Sequence, residues 1–220
     1  MPTTVEIVMP VRNVTAYMEE AIDSVFDQID AAPRLVVVDA GSDVPVVLPP
    51  RYRSHPHVAL IRSETGLNAG GARNLGVRSG DAGYLAFLDA DDRWPATRTR
   101  DLVAALRSSG GDAALGQVRH FAAPGPMSLH VPADLRPAYA AGGLLLPWAT
   151  WRRVGPFDAE LRTGEFIEWY TRFQGLGLKE TVIDTVTLER RVHAASTTAT
   201  QRIDRSEYLK VVRAWMNRNG

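Results

Sequence analysis

Apolar residues recur along this chain in two rhythms. Short, β-branched runs punctuated by polar residues predict strands: "VEIVMP" (5–10), closed by Pro10; "RLVVVDAGS" (34–42); "VALIRS" (58–63); and "GYLAFLDADD" (83–92). Between them the apolar positions fall three and four apart. "VTAYMEEAIDSVFDQI" (14–29) is apolar at 14, 18, 21, 22, 25, 26 and 29, the stripe of an amphipathic helix. "NAGGARNLGVRSG" (68–80) is glycine-rich and then helical, ending at Gly80. "PATRTRDLVAALRSS" (95–109) places Pro95 at the first helical position and closes on Gly110 and Gly111. Strands alternating with helices imply an α/β fold with a mainly parallel sheet and helices on both faces.

Past residue 110 the pattern loosens. "DAALGQVRHFA" (112–122) reads as a strand, and 123–143, with Pro124, Pro126, Pro132 and Pro137, as a loop. Residues 143–158 read as a strand, a short helix and a turn. Phe166, Trp169, Tyr170 and Phe173 give 165–177 helical spacing, and 180–193 looks extended. A final amphipathic helix is predicted over 204–220, capped by Asp204 with Glu207 three residues on. No repeat or low-complexity linker divides the chain. A boundary near 112 therefore separates two lobes of one domain, 1–111 and 112–203, followed by the terminal helix.

Composition narrows the function classes. The 220 residues carry 25 basic and 25 acidic side chains, so no global charge draws the chain to nucleic acid or an anionic membrane. Having no cysteine, it contains no disulfide, thiolate metal site or cysteine nucleophile. No apolar run approaches 18 residues, and "MPTTVEIVMP" lacks a basic segment followed by a long apolar core. The expectation is a cytoplasmic protein without a membrane span.

The candidate chemistry sits where strands end. In open parallel sheets ligands bind beyond the carboxyl ends of the strands. Asn13 follows the first strand, Asp39 ends the second, and Asp89, Asp91 and Asp92 end the fourth. If the chain stays extended there, Asp89 and Asp91 point the same way and can share a hard divalent cation, Mg²⁺ or Mn²⁺. The alternative is a helix cap, which accounts for Asp92 but not for all three carboxylates.

"VEIVMPVRN", "LVVVDAGS", "NAGGARNLGVRSGDAGYLAFLDADD" and "GEFIEWYTR…ERRVH", in this order and spacing, resemble glycosyltransferase family 2 with the GT-A fold. The resemblance spans residues 5 to about 193. It implies a single Rossmann-like domain, a nucleotide-binding lobe with a smaller acceptor lobe, and inverting transfer of a sugar from a nucleotide-diphosphate sugar. It also implies a divalent metal, Mn²⁺ or Mg²⁺, on the diphosphate.

Residue by residue, the resemblance implies that Asp91 holds the metal and that Asp89 contacts the ribose or the metal, with Ala90 beside the donor. Asp92 is a second candidate ligand or a cap. Pro10, Val11, Arg12 and Asn13 match a segment whose backbone lies along the nucleotide, although Arg12 replaces an aromatic residue. Asp39 is kept in the donor site or is a strand-ending turn residue, while Ala40 replaces a second aspartate that in relatives can hydrogen-bond the base. Asn68, Gly70 and Arg73 match the donor-side loop, with Asn68 also a candidate N-cap. His193 completes the metal site or touches the diphosphate, and of Arg190 and Arg191, which alternate in direction on a strand, one can face the diphosphate, Arg191 being the candidate. Relatives carry the general base as an aspartate where this chain has Phe166. Glu165 is the nearest substitute and Glu168 the alternative. Trp148 and Trp151 fall where relatives form the acceptor wall, and either stack on the acceptor there or are plain core.

A non-catalytic nucleotide-sugar-binding subunit is the competing reading, favoured by Ala40 and Phe166. A nucleotidyltransferase ranks lower, because no glycine-rich loop follows the first strand. The acceptor and the oligomeric state, a homodimer included, stay open.

Overall fold

Thr3–Val11 form β1, the strand on which the sheet is built. Its Val5, Ile7, Met9 and Val11 enter one core layer, and Val8 enters the other. This alternation is what a strand buried on both faces requires. The computed structural model describes residues 2–13, 16–77, 83–125 and 131–193; the expected helix over 204–220 lies outside them.

The elements after β1 are α1 (Met18–Phe26), β2 (Ala31–Asp39), β3 (Val58–Arg62), α2 (Ala69–Val77), β4 (Tyr84–Phe87), α3 (Arg98–Ser109) and β5 (Ala113–Ala122). Then follow β6 (Arg136–Pro137), β7 (Leu145–Pro147), α4 (Trp148–Val154), α5 (Glu165–Gly175) and β8 (Glu180–Val192). The sheet has eight strands in the order β3-β2-β1-β4-β7-β5-β6, and β8 pairs with β5. β3, β2, β1 and β4 are mutually parallel, as are β5 and β8, while β7 runs against both β4 and β5. Helices cover both faces, as expected. α1 and α3 bury Ile22, Val25, Leu102 and Leu106 in one layer, and α2, α4 and α5 bury Ala72, Trp151, Trp169 and Phe173 in the other.

Several expected boundaries move, each for a local reason. β1 runs on through Pro10, which pairs with Val38. Its missing N–H is tolerated because the β4 ladder covers only Val5 to Val8. Helix α3 begins at Arg98, with Pro95 in the preceding turn instead of at its first position. β4 is only four residues long, so residues 89–92 are a turn and not an extended tail. Trp148 and Trp151 are buried core side chains. Trp151 stacks on Trp169 with centroids 6.0 Å apart, so of their two readings these tryptophans take that of plain core.

Candidate active site

The strand order reverses between β1 and β4, and the acidic residues follow β4. After Phe87 the chain turns, closed by the Asp92 amide donating to the Asp89 carbonyl at 3.1 Å. The turn scatters the three carboxylates, so Asp89 and Asp91 do not act as one face of a strand. Each meets a different partner. Asp89 Oδ1 accepts from Arg73 Nη2 at 2.6 Å. Asp91 Oδ2 lies 2.9 Å from His193 Nε2. Asp92 is buried, and its Oδ1 accepts the Arg191 amide at 2.9 Å. Burial, reinforced by Asp91 and Asp89, pushes the Asp92 carboxyl well above the usual range. The expected cap role of Asp92 does not hold: α3 starts beyond Thr97, and Asp92 Oδ1 serves β8.

Arg73 rises from α2 and is almost fully buried. Its Nη1 donates to Glu165 Oε1 at 2.7 Å, so one guanidinium ties the acidic turn to the start of α5. Burial disfavours the cation, but Asp89 and Glu165 outweigh that and raise its pKa further. Gly70, one turn before Arg73, permits this approach. A Cβ there would lie 3.2 Å from Glu165 Cγ and 3.3 Å from the Asp158 carbonyl. Asn68 caps α2 through Oδ1, which accepts the Gly71 amide at 2.8 Å, and its Nδ2 holds the Ala159 and Leu161 carbonyls. Glu168, the alternative base, instead grips Arg172 at 2.9 Å, and Arg172 also binds the Val154 and Pro156 carbonyls. Glu165 is thus the glutamate that the structure joins to the acidic turn. Phe166 is core, stacked on Tyr170.

The end of β8 is stitched onto the turn. Arg93 and Glu189 form a two-way backbone bridge, and Arg191 Nε donates to the Asp91 carbonyl at 2.9 Å. Arg191 Nη2 also pairs with Glu20 of α1 at 2.5 Å, and its guanidinium lies over the Tyr17 and Phe121 rings. Expected to face a diphosphate, Arg191 is instead committed to holding the turn. Glu20, Arg93 and Glu189 carry that assembly and were not singled out in the sequence, because pairs this far apart leave no local signal.

On the other flank, Asp39 is buried at 1% exposure, and both its oxygens are occupied. Oδ1 accepts the Ser42 amide at 2.8 Å, and Oδ2 accepts the Val46 amide at 3.1 Å and Arg62 Nη1 at 2.6 Å. Burial alone would raise its pKa, but the Ser42 and Val46 amides, the Ser42 hydroxyl and Arg62 together lower it. Asp39 is thereby the turn residue of the two readings. Ser42, also not foreseen, accepts the Asn13 amide at 2.8 Å. Pro10 and Val11 deliver that amide from the end of β1, with Asn13 in the left-handed region at φ 55°.

Among the described residues no three His, Asp or Glu side chains are grouped to hold a metal ion. What the site offers is a pair, Asp91 with His193, both partly accessible and of a donor type that suits Mn²⁺.

By fold and site this is an α/β protein with a cluster of polar side chains at the carboxyl ends of its strands, the side on which such sheets bind ligands. Residues 6–153 match the Glycosyl transferase family 2 profile, and the chain belongs to that family. Over 93 residues it is 34% identical to the amylovoran biosynthesis glycosyltransferase AmsB of Erwinia amylovora, covering 40% of this chain and 31% of AmsB. Over 94 residues it is 32% identical to WfgD of Escherichia coli, a UDP-Glc:alpha-D-GlcNAc-diphosphoundecaprenol beta-1,3-glucosyltransferase, covering 43% of this chain and 37% of WfgD. The matched segments thus span about a third of these relatives. The S. aureus TarS 1–349 structure with UDP-GlcNAc superimposes with a TM-score of 0.79 at 18% identity, over 98% of this chain and 66% of TarS. The GT-A fold expected from the sequence is therefore the fold observed. No helix among the described residues is long and apolar enough to cross a membrane.

Proposed function

We propose that this chain transfers a sugar from a nucleotide-diphosphate sugar to an acceptor hydroxyl with inversion, Glu165 acting as the base. The observation that carries this reading is the Arg73 bridge, which sets Glu165 and Asp89 on one guanidinium beside the Asp91–His193 pair. One Glu165 oxygen pairs with Arg73, and the other has no protein partner among the described residues. In the proposed step Glu165 takes the acceptor proton as the acceptor oxygen bonds to the anomeric carbon. The bond from that carbon to the diphosphate breaks, and the diphosphate leaves with its electron pair. Arg73 holds Glu165 in place for that transfer, and the Arg191 contacts keep the acidic turn from shifting.

Asp91 and His193 are the residues that would hold Mn²⁺ or Mg²⁺. Bound there, the ion supplies positive charge to the leaving diphosphate. The sugar nucleotides named with WfgD and TarS support a nucleotide-sugar donor. The test is thermal stabilisation by nucleoside diphosphates with Mn²⁺, followed by donor hydrolysis. Asp91→Ala should abolish the first, and Glu165→Gln only the second. Phe166, buried where relatives carry an aspartate, favours a second reading as a non-catalytic binding subunit. Donor binding without hydrolysis or transfer to any of a broad set of acceptors would establish it.

A further inference from the structure

The loops after β1, β2 and β3 form one sewn platform. The Ala40 amide donates to the Val11 carbonyl at 2.8 Å, the Leu67 amide to the Ala40 carbonyl at 3.0 Å, and the Ser63 amide to the Asp39 carbonyl at 2.9 Å. The Asp43 amide donates to Asn13 Oδ1 at 3.1 Å, and Arg62 Nη2 to the Ser42 carbonyl at 3.0 Å. Gly41, at φ +81°, lets the layers close, since a Cβ there would lie 2.8 Å from the Thr65 carbonyl oxygen. The polar side chains Asn13, Asp39, Ser42 and Arg62 are all engaged within this platform. Ala40 contributes no polar group. Among the described residues of this platform, Arg12 brings the cation with no ion-pair partner: it is exposed, and a Cβ on Gly66 would meet its Nη2 at 3.6 Å. Asp43 and Glu64 lie on the same loops as exposed carboxylates.

We infer that Arg12 reads the nucleotide base of the donor, and that it selects a base with two adjacent acceptors, guanine (O6 and N7) or cytosine (O2 and N3), over uracil. The inference rests on the proposed donor site. The inference sets the sugar end beside Glu165, the diphosphate at Asp91 after β4, and the nucleoside end over β1 and β2, the next strands in the sheet order. A guanidinium fork presents parallel donors, which match two adjacent acceptors. Uracil instead presents acceptor, donor, acceptor. Its N3–H would face the fork, and the buried Asp39 has no oxygen left for it.

The experiment is calorimetric binding of GDP, CDP, UDP and ADP to the whole chain in Mn²⁺, with the parent, Arg12→Ala and Arg12→Lys. The expected result is GDP or CDP binding about tenfold or more tightly than UDP and ADP, the order of discrimination that one bidentate pair gives. Arg12→Ala should erase that preference, and Arg12→Lys, which keeps the charge without the fork, should erase most of it. Both variants should melt with the parent, because Arg12 is exposed. Equal weakening of all four ligands by Arg12→Ala overturns the inference by placing the guanidinium on phosphate. Tightest binding of UDP, lost in Asp43→Asn or Glu64→Gln, overturns it by placing base reading on a carboxylate. Either of these outcomes leaves the proposed function standing, whereas failure of every diphosphate to bind removes both.

Discussion

Replacing Arg73 by Gln tests the centre of the site. The change removes two charge-assisted hydrogen bonds, to Asp89 and to Glu165. Such bonds contribute about 1.5–3 kcal/mol each when desolvated. The Glu165 side chain is 14% exposed and keeps nearly the full value. Asp89 is 40% exposed, so its share is screened and falls below about 1 kcal/mol. The sum is a loss of about 2–4 kcal/mol, which for a chain of this size lowers the melting temperature by roughly 4–16 °C. Glu165→Gln alone should cost about 1–2 kcal/mol, since Arg73 retains Asp89. Urea unfolding of the parent, both single variants and the double variant closes a cycle. Contact between the two groups requires a coupling of about 1–2 kcal/mol. Additive losses, within about 0.5 kcal/mol, would refute the ion pair as the link between α2 and α5. The same Glu165→Gln variant should lose roughly 10²–10⁴-fold in transfer rate, far more than its modest loss of stability accounts for.

Three further outcomes follow from the same geometry. His193→Ala should weaken Mn²⁺-dependent binding of a nucleoside diphosphate by at least the roughly 10–100-fold typical of damage around a metal, while metal-free affinity stays put; titration with and without Mn²⁺ reads both. Asp39, whose folded pKa is lowered, binds its proton more readily in the unfolded chain, so its contribution is full above its ordinary pKa of 3.8 and fades as pH falls below it. Asp39→Asn should accordingly flatten the acid limb of a stability–pH curve below about pH 4, and an unchanged limb would exclude Asp39 as its source. Arg98 is fully buried over the Trp94 ring, with Nε and Nη1 unpartnered and only Nη2 bound, to the Leu144 carbonyl. Burial pulls its pKa down to about 9, so it is still a cation at neutral pH. Arg98→Met should therefore stabilise the chain by about 1–3 kcal/mol in urea unfolding, and a clear destabilisation would contradict this account.

The sequence exposed the architecture and the address of the site, and local physics explains why. Buried strands such as "VEIVMP" and "RLVVVDAGS" must be apolar on both faces, so the alternation with helices was readable without coordinates. Polar residues at three strand ends marked the candidate site for the same reason. Long-range pairing was not readable. That Glu20 would meet Arg191, or that Arg93 would bridge Glu189, depends on where β8 lies, and β8 is placed by its register with β5. The length of β4 was misjudged because Leu88 continues the apolar run, although the ladder to β1 ends at Phe87. Trp148 and Trp151 stayed open between two readings because a tryptophan looks alike in sequence whether it lines a cleft or fills a core.

The acidic turn repels itself less than its composition suggests, because the fold gives each carboxylate its own remedy. Asp89 has a buried arginine, Asp91 a histidine nitrogen, and Asp92 a backbone amide in a site that favours its protonated form. These remedies differ in how easily a ligand can displace them. The Arg73 pair is locked between two acids, and the Arg191 amide is part of the β8 docking. Of these three contacts, the one between Asp91 and His193 joins two partly accessible groups, which is why the proposed cation is assigned to it. The proposed function asks the site to release its diphosphate after each transfer, and a cation held at this one pair would meet that demand where three equivalent carboxylates gripping one ion would not.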